Sequence, residues 1–472
     1  MLAIEVCHGT IRLSKVLKDR PVSTRDSKPA PGEITRSKTA QPEKNGLLDR
    51  RTFLHNGFRT SAFLTLPATL AAVAPQTQAR DAWQNEVGAE FSNYGQPSEH
   101  EKGVIRWISA NDAIPSNGIS WSPLHDLEGS ITPNGLHYER HHNGIPAIDP
   151  NKHRLLIHGL VDSAREFSVD ALKRYPRTSL FNVIECGGNS NAAWRKKPVQ
   201  NPVGFFHGLV SCSEWSGVPL RYLFDECGIK PSAKWVIAEG ADAFAMTTSL
   251  PLEKLYADCM IAMYQNGERI RPEQGYPMRL LVPGWEGVTN VKWLKTLHIT
   301  DRPVMARNET SKYTELQPSG KARMFTFEMG VKSLITSPTY GNQIPQDGFY
   351  EISGLAWSGK GKIKQVEVSA DGGKTWVLAA LNEPILPRCF TRFRIPWHWR
   401  GQNAVLQSRA TDEHGNVQPS RKALLAERGR HGYFHYNAIV SWAVAEDGYV
   451  THTYVDDDSN DAEDPFDGLF DF

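Results

Sequence analysis

Five of the chain's six cysteines lie beyond residue 79, and one of them stands apart. Cys186 sits in Glu185-Cys186-Gly187-Gly188-Asn189, directly after an apolar, strand-like run. A thiolate at a strand end is a soft ligand and a nucleophile. Two glycines behind it free φ from its usual limits and let a large group approach the backbone. On residue types alone, this loop reads equally as a cofactor contact or a structural turn. The other thiols have plainer readings. Cys227 completes the helical spacing Leu220, Leu223, Phe224, Cys227, while Cys259 and Cys389 lie beside apolar runs, so all three are expected to be buried and inert. Cys212 is ambiguous. The odd number leaves at least one thiol free. No CxxCH is present to attach a c-type haem, and no GxGxxG follows a strand to bind a dinucleotide. His137, His141 and His142 lie close together, with a zinc site as the lesser reading beside a loop cluster.

The elements around Cys186 are legible as a mixture of strands and short helices. Strands are expected over 154–160, 179–185, 234–239, 259–264 and 279–282. Helices are expected over 168–175, with Ser168 as N-cap, and over 219–227, stopped by Gly228. Residues 83–135, rich in Gly, Pro, Asn and Ser, read as an extended, irregular segment. No clean βαβ repeat appears, so the class is α+β. After about Arg323 helices vanish. Short alternating runs at 348–355, 363–370, 375–380, 391–395 and 404–411 predict a β-sandwich. Ser369-Ala-Asp-Gly-Gly-Lys-Thr-Trp376 matches an Asp-box, but a sialidase-like propeller needs several copies and only one is present. The expected division is a leader at 1–79, a catalytic domain at 80–320, a sandwich at 321–440 and an acidic tail at 441–472, with eight acids after Val455.

Arg50-Arg51-Thr52-Phe53-Leu54 precedes an apolar run from Ser61 to Ala74, the pattern of a twin-arginine export signal. That run is too short to span a bilayer, and no other stretch is long enough, so no membrane association is expected. Export by this route implies a periplasmic protein that folds, with any cofactor, before it crosses. Residues 1–49 are polar and expected to be disordered. Residues 1–79 hold 12 Lys+Arg against 6 Asp+Glu in a chain of net charge +1, so the remainder is mildly acidic and unsuited to binding nucleic acid.

The loop at Cys186 also resembles the cysteine loop of the sulfite oxidase family of molybdenum enzymes. Tyr138-Glu-Arg-His-His142, Met278-Arg-Leu-Leu-Val-Pro-Gly284, Asn290-Val-Lys-Trp-Leu294 and Gly354-Leu-Ala-Trp-Ser-Gly359 resemble further segments of that family. Within it, Thr132 to Gly144 and Gly348 to Gly359 look most like the catalytic subunits of bacterial sulfane (sulfite) dehydrogenases. The resemblance implies a molybdopterin-binding catalytic domain followed by an immunoglobulin-like dimerisation domain. It implies Mo-molybdopterin as cofactor, with Cys186 as the one protein ligand to the metal and no haem on this chain. Arg140, Arg279 and Lys292 would supply positive charge near substrate and cofactor, and Tyr313 a hydrogen bond. His142, Asp242 and Ser249, with Arg140 and Lys292, would hold the cofactor. The implied activity is oxidation of sulfane sulfur or sulfite on a carrier protein in thiosulfate oxidation. Electrons would pass to a di-haem cytochrome c, in a heterotetramer built on a homodimer.

Two departures bear on the substrate. Animal sulfite oxidases have a basic residue soon after the cysteine loop, where this chain has Ser190 and Asn191, and a histidine near Gln274. Arg195, Lys196 and Lys197 read as a solvated turn rather than as replacements. Fewer pocket cations disfavour small free sulfite and suit a larger, carrier-bound sulfur. A dehydrogenase for free sulfite and a non-catalytic exported binding module are the alternatives.

Overall fold

The computed structural model describes residues 45–47, 86–324, 326–429 and 432–455. The arginine pair, its apolar run and the acidic stretch from Asp456 lie outside the described residues. Among the described residues, no helix is long and apolar enough to cross a membrane.

Strands β1 (Trp107–Asn111), β2 (Asn117–Trp121) and β3 (Glu139–His141) form an antiparallel sheet in that order. The expectation of an irregular segment over 83–135 is therefore corrected. Gly118 faces Ala110, and a β-carbon on it would fall 2.8 Å from the Ser109 carbonyl oxygen. The small residue that weakens the strand pattern is what permits close pairing.

Ten strands build the body of the first domain. They are β4 (Arg154–Gly159), β5 (Arg165–Ser168), β6 (Thr178–Glu185), β7 (Val210–Pro219), β8 (Trp235–Gly240), β9 (Thr247–Pro251), β10 (Met260–Gln265), β11 (Glu268–Arg269), β12 (Arg279–Leu281) and β13 (Leu294–Thr300). One sheet runs β5-β4-β13-β8-β9, antiparallel except for the parallel pair β4–β13. The other runs β11-β10-β7-β6, with β12 beside β10. Period-two alternation buries Leu155 and Ile157 on β4, Val236 and Ala238 on β8, and Leu297 and Ile299 on β13. Leu220, Leu223, Phe224 and Cys227 of the helix Leu220–Cys227 fill the same core, each large apolar side chain contributing about 1.5–3 kcal/mol. Gly228, at φ +68°, ends that helix. Ser168 caps the short helix Val169–Leu172, its hydroxyl accepting from Ala171 N at 3.0 Å.

A hairpin of β14 (Thr314–Leu316) and β15 (Ala322–Met324) leads to the second domain. There β16 (Lys332–Ser337), β17 (Gly348–Trp357), β18 (Ile363–Ser369), β19 (Val377–Leu378), β20 (Ala380–Leu381), β21 (Thr391–Trp399), β22 (Ala404–Asp412), β23 (Ser441–Val444) and β24 (Val450–Thr453) form two sheets. Their orders are β16-β17-β21-β20 and β19-β18-β22-β23-β24. Trp357, Trp397, Trp399 and Trp442 are buried in one core between the two sheets of the expected sandwich. The Asp-box is a single turn in which Asp371 accepts from Thr375 Oγ1 at 2.6 Å and Thr375 N at 2.9 Å.

Three further expectations are corrected here. Helices do not vanish after Arg323. Arg421–Arg428 is helical, capped by Ser420 and anchored by buried Arg421 and Leu424. The tail does not begin at residue 441. Buried Trp442, Val444 and Val450 make β23 and β24 part of the sandwich. Residues 1–49 are not unstructured throughout. Leu47 is buried against the sandwich, Trp397 Nε1 donates to Asn45 O at 3.0 Å, and His398 N donates to Gly46 O at 2.9 Å.

Candidate functional site

Cys186 follows the last residue of β6. Its N–H donates to Leu209 O at 2.9 Å, and its carbonyl accepts from Asn189 N at 2.8 Å, closing a tight turn. The Asn189 side chain ties that turn to both neighbours, donating to Glu185 Oε1 and accepting from Leu209 N, each at 3.0 Å. Neither Gly187 nor Gly188 has positive φ, whereas Ser190 does, at 64°. Gly187 therefore serves space rather than backbone freedom, whereas a β-carbon on Gly188 would meet nothing nearer than 3.7 Å. A β-carbon on Gly187 would fall 2.7 Å from Glu286 Oε2 and 3.2 Å from the Tyr313 ring. Burial pushes the Cys186 thiol up.

Seven of the eight expected site residues line one cavity: Cys186, Arg140, Tyr313, Arg279, Lys292, His142 and Asp242. Strand β3 supplies Arg140, whose guanidinium donates to Asn117 Oδ1 at 3.2 Å and meets His142 Nδ1 at 3.2 Å. Strand β12 supplies Arg279, buried over the Trp215 ring and donating to the carbonyls of Gln274 at 3.0 Å and Asn290 at 2.9 Å. Burial pushes its guanidinium down to about 10. Lys292 lies just before β13. Its ammonium donates to Arg140 O and Glu273 O, each at 3.0 Å, and meets His141 Nδ1 at 3.1 Å. Burial, then repulsion from Arg279, holds it well below the usual lysine range. Tyr313 stacks on Phe434 at 4.6 Å, and burial followed by the nearby Cys186 drives its hydroxyl well above the usual tyrosine range. The free volume of the cavity is about 90 Å³.

The three histidines do not converge as zinc ligands. His137 Nδ1 pairs with Tyr138 O at 3.0 Å, His141 Nε2 with Glu139 Oε2 at 2.7 Å, and His142 stacks on Phe244 at 4.2 Å. Burial pushes each down to about 3, with the adjacent cations adding to the shift, so all three are neutral near pH 7. Asp242 opens the turn after β8, its carbonyl accepting from Ala245 N at 2.9 Å and its carboxylate from Met246 N at 3.4 Å. Ser249 does not reach the cavity. It is fully buried, and its hydroxyl donates to Glu309 Oε2 at 3.0 Å. A serine on a strand alternates between faces, and sequence spacing did not reveal which face it takes.

Several residues at the loop were not anticipated. Glu286 is buried against His435 Nδ1, and His435 N donates to Gly187 O at 2.8 Å. Burial raises the Glu286 carboxyl, with His435 opposing the shift. Lys332 and Trp357 reach Glu185 from the second domain. A second cavity of about 600 Å³ also borders Cys186, with Glu286, Arg323, Lys360, Arg428 and His435 on its wall. One signal was present in the sequence: Lys332 is a lone charge at the start of the apolar strand Val331-Lys-Ser-Leu-Ile335. The five described cysteines are unpaired, with Cys212 Sγ and Cys389 Sγ 3.2 Å apart in the core.

Comparison with known proteins gives the arrangement a context. Residues 142–308 match the oxidoreductase molybdopterin binding domain, and residues 323–441 match the Mo-co oxidoreductase dimerisation domain. The crystal structure of the sulfane dehydrogenase SoxCD from Paracoccus pantotrophus is similar, with a TM-score of 0.78 and 42% identity, covering 81% of this chain and 99% of that one. Mitochondrial sulfite oxidase of Drosophila melanogaster is 30% identical over 62% of this chain and 56% of its own length. An NADH nitrate reductase of Solanum lycopersicum is 30% identical over 69% of this chain. This chain spans only 41% of that reductase. These matches set aside the binding module without a redox cofactor.

Proposed function

Because the chain belongs to the sulfite oxidase family of molybdenum enzymes, we propose that it is the catalytic subunit of a sulfane or sulfite dehydrogenase. It oxidises sulfur presented on a carrier protein and passes electrons to a di-haem cytochrome c. The observation that carries this reading is the meeting of the Cys186 thiol with Arg140, Arg279 and Lys292 in one cavity.

The residues suit Mo-molybdopterin. The cavity is rich in donors and cations, as an anionic, phosphate-bearing group requires. Arg279 Nε is buried there with no partner, which is donor capacity that a ligand can take up, while unpartnered His137 Nε2, left without a proton because Nδ1 donates to Tyr138 O, offers an acceptor. Cys186 Sγ would ligate the metal, while His142, Asp242, Arg140 and Lys292 would hold the organic part. When bound, the group supplies the two-electron acceptor and the oxygen-transfer chemistry. The chain supplies orientation and charge. Arg140 and Arg279 attract the anionic sulfur group. Tyr313 keeps its proton near pH 7 and donates from its hydroxyl. An anion beside Lys292 favours the ammonium form that burial opposes.

Carrier-bound sulfur is preferred because the loop lacks free cations. Ser190 and Asn191 are neutral, and the cation that reaches Ser190, Lys332, is already neutralised by Glu185. Export by the twin-arginine route, a periplasmic location and a heterotetramer built on a homodimer complete the proposal. The likeness to the fly sulfite oxidase favours a second reading, direct oxidation of free sulfite.

The test is molybdenum per chain in purified protein beside a Cys186→Ser variant, with turnover on sulfite and on carrier-bound sulfane sulfur. One metal per chain, lost activity in the variant and faster turnover of the carrier are expected. Turnover of sulfite alone would select the second reading, and a metal-free protein from a host that makes the cofactor would end both.

A further inference from the structure

Glu185, Lys332 and Trp357 form a buried contact that the proposed chemistry does not use. Both oxygens of Glu185 are engaged. Oε1 accepts from Lys332 Nζ at 2.9 Å and Asn189 Nδ2 at 3.0 Å, and Oε2 accepts from Trp357 Nε1 at 2.8 Å. Lys332 Nζ also donates to Ser190 Oγ at 2.8 Å, and that oxygen lies 2.6 Å from His207 Nδ1. Glu185 and Ser190 bracket the turn that carries Cys186, so one ammonium ties both ends of the loop. Lys332 and Trp357 are direct cross-strand partners on β16 and β17, and both side chains are fully buried.

We propose that Glu185 is a positioning residue: this cross-strand pair of the sandwich grips its carboxylate and so fixes the direction of Cys186 Sγ. The inference rests on the reading of Cys186 as a metal ligand. A buried ammonium cannot be parted from its carboxylate without heavy cost, so the pair tolerates little displacement. Two acceptor oxygens held by donors from two strands fix the carboxylate in translation and rotation. Glu185 is bonded covalently to Cys186, so that rigidity passes directly to the thiol. Partners one step beyond a metal ligand orient it and tune the metal. The second domain thus helps to build the catalytic centre of its own chain.

The test uses the full chain loaded with cofactor in a producing host. Trp357→Phe removes one donor and leaves the ion pair. The double variant Glu185→Gln/Lys332→Met removes both buried charges together. Molybdenum per chain, the thiolate-to-molybdenum absorption band, melting temperature, turnover and half-saturation are measured for each. For Trp357→Phe we expect retained metal, a shifted band and about tenfold lower turnover at unchanged half-saturation. For the double variant we expect about tenfold or greater loss of metal. Folded variants with the wild-type band, metal content and turnover would overturn the proposal while leaving the family chemistry standing. A wild-type chain without molybdenum would overturn both. If the double variant fails to fold, Trp357→Phe decides alone.

Discussion

On the cavity side of the cysteine loop, Arg140, Arg279 and Lys292 donate to carbonyls, an amide and histidines, and none forms an ion pair among the described residues. Toward the sandwich, Lys332 meets Glu185, Arg428 meets Glu315 and His435 meets Glu286. The same short turn separates open charge from closed charge. Unpaired cations in a partly buried cavity are costly, and that cost is offset only when an anion arrives. A fully engaged pair such as Lys332 with Glu185 needs no ligand and defines geometry. One side is arranged for binding and the other for holding.

The contrast is broken most severely by Lys332→Met, which leaves Glu185 buried without its cation. A loss of about 3–5 kcal/mol is expected in urea unfolding, with most of it recovered in the double variant carrying Glu185→Gln. A loss below about 1 kcal/mol would mean that the two sides do not differ in this way.

Acid should reveal the open side through its histidines. His137 is neutral in the folded chain down to about pH 3 and takes up a proton near pH 6.5 when unfolded. The unfolded state therefore binds more protons between these limits. The stability that His137 contributes is fully present above about 6.5 and is lost as pH falls toward about 3. Melting curves should weaken across that window, and His137→Gln should flatten the slope by up to about 1.4 kcal/mol per pH unit.

Arg140→Gln removes an open cation and leaves no carboxylate behind. Stability should change by less than about 1 kcal/mol, while half-saturation for the anionic substrate rises about tenfold, one hydrogen-bonded charge's worth. Ser249→Ala should do least. It takes one donor from buried Glu309, costs about 1 kcal/mol in unfolding and leaves molybdenum content unchanged. A fall in metal content would place Ser249 within reach of the cofactor after all.

The legible parts of this chain are those whose signals are local. Alternation over 154–159 and the helical spacing from Leu220 to Cys227 gave those two elements to within a residue, whereas the helix expected over 168–175 ends at Leu172 and the strands β7 and β13 were not read. The loop after Glu185 was visible because a cysteine followed by two glycines is chemically unusual. The hairpin over 107–121 was obscured by Asn117 and Gly118, which pair well but score poorly as strand formers. The helix Arg421–Arg428 was hidden within a stretch read only for alternation. The clamp on Glu185 was beyond local reading, because its donors lie 147 and 172 positions away in the chain. Ser249 shows the opposite failure. It is near the cavity in sequence terms, on the strand after Asp242, yet its hydroxyl points to Glu309.

The distance between Glu185 and its partners also sets a schedule. A ribosome adds roughly 5–20 residues per second, and chains fold from the N-terminus as they emerge. Lys332 comes 147 positions after Glu185, so the thiol-bearing strand exists for on the order of ten seconds or more before its clamp is made. Even the parallel pairing of β4 with β13 waits until Thr296 is available to face Leu156. The newborn first domain is therefore an unlatched vessel, and the last-made domain is its latch.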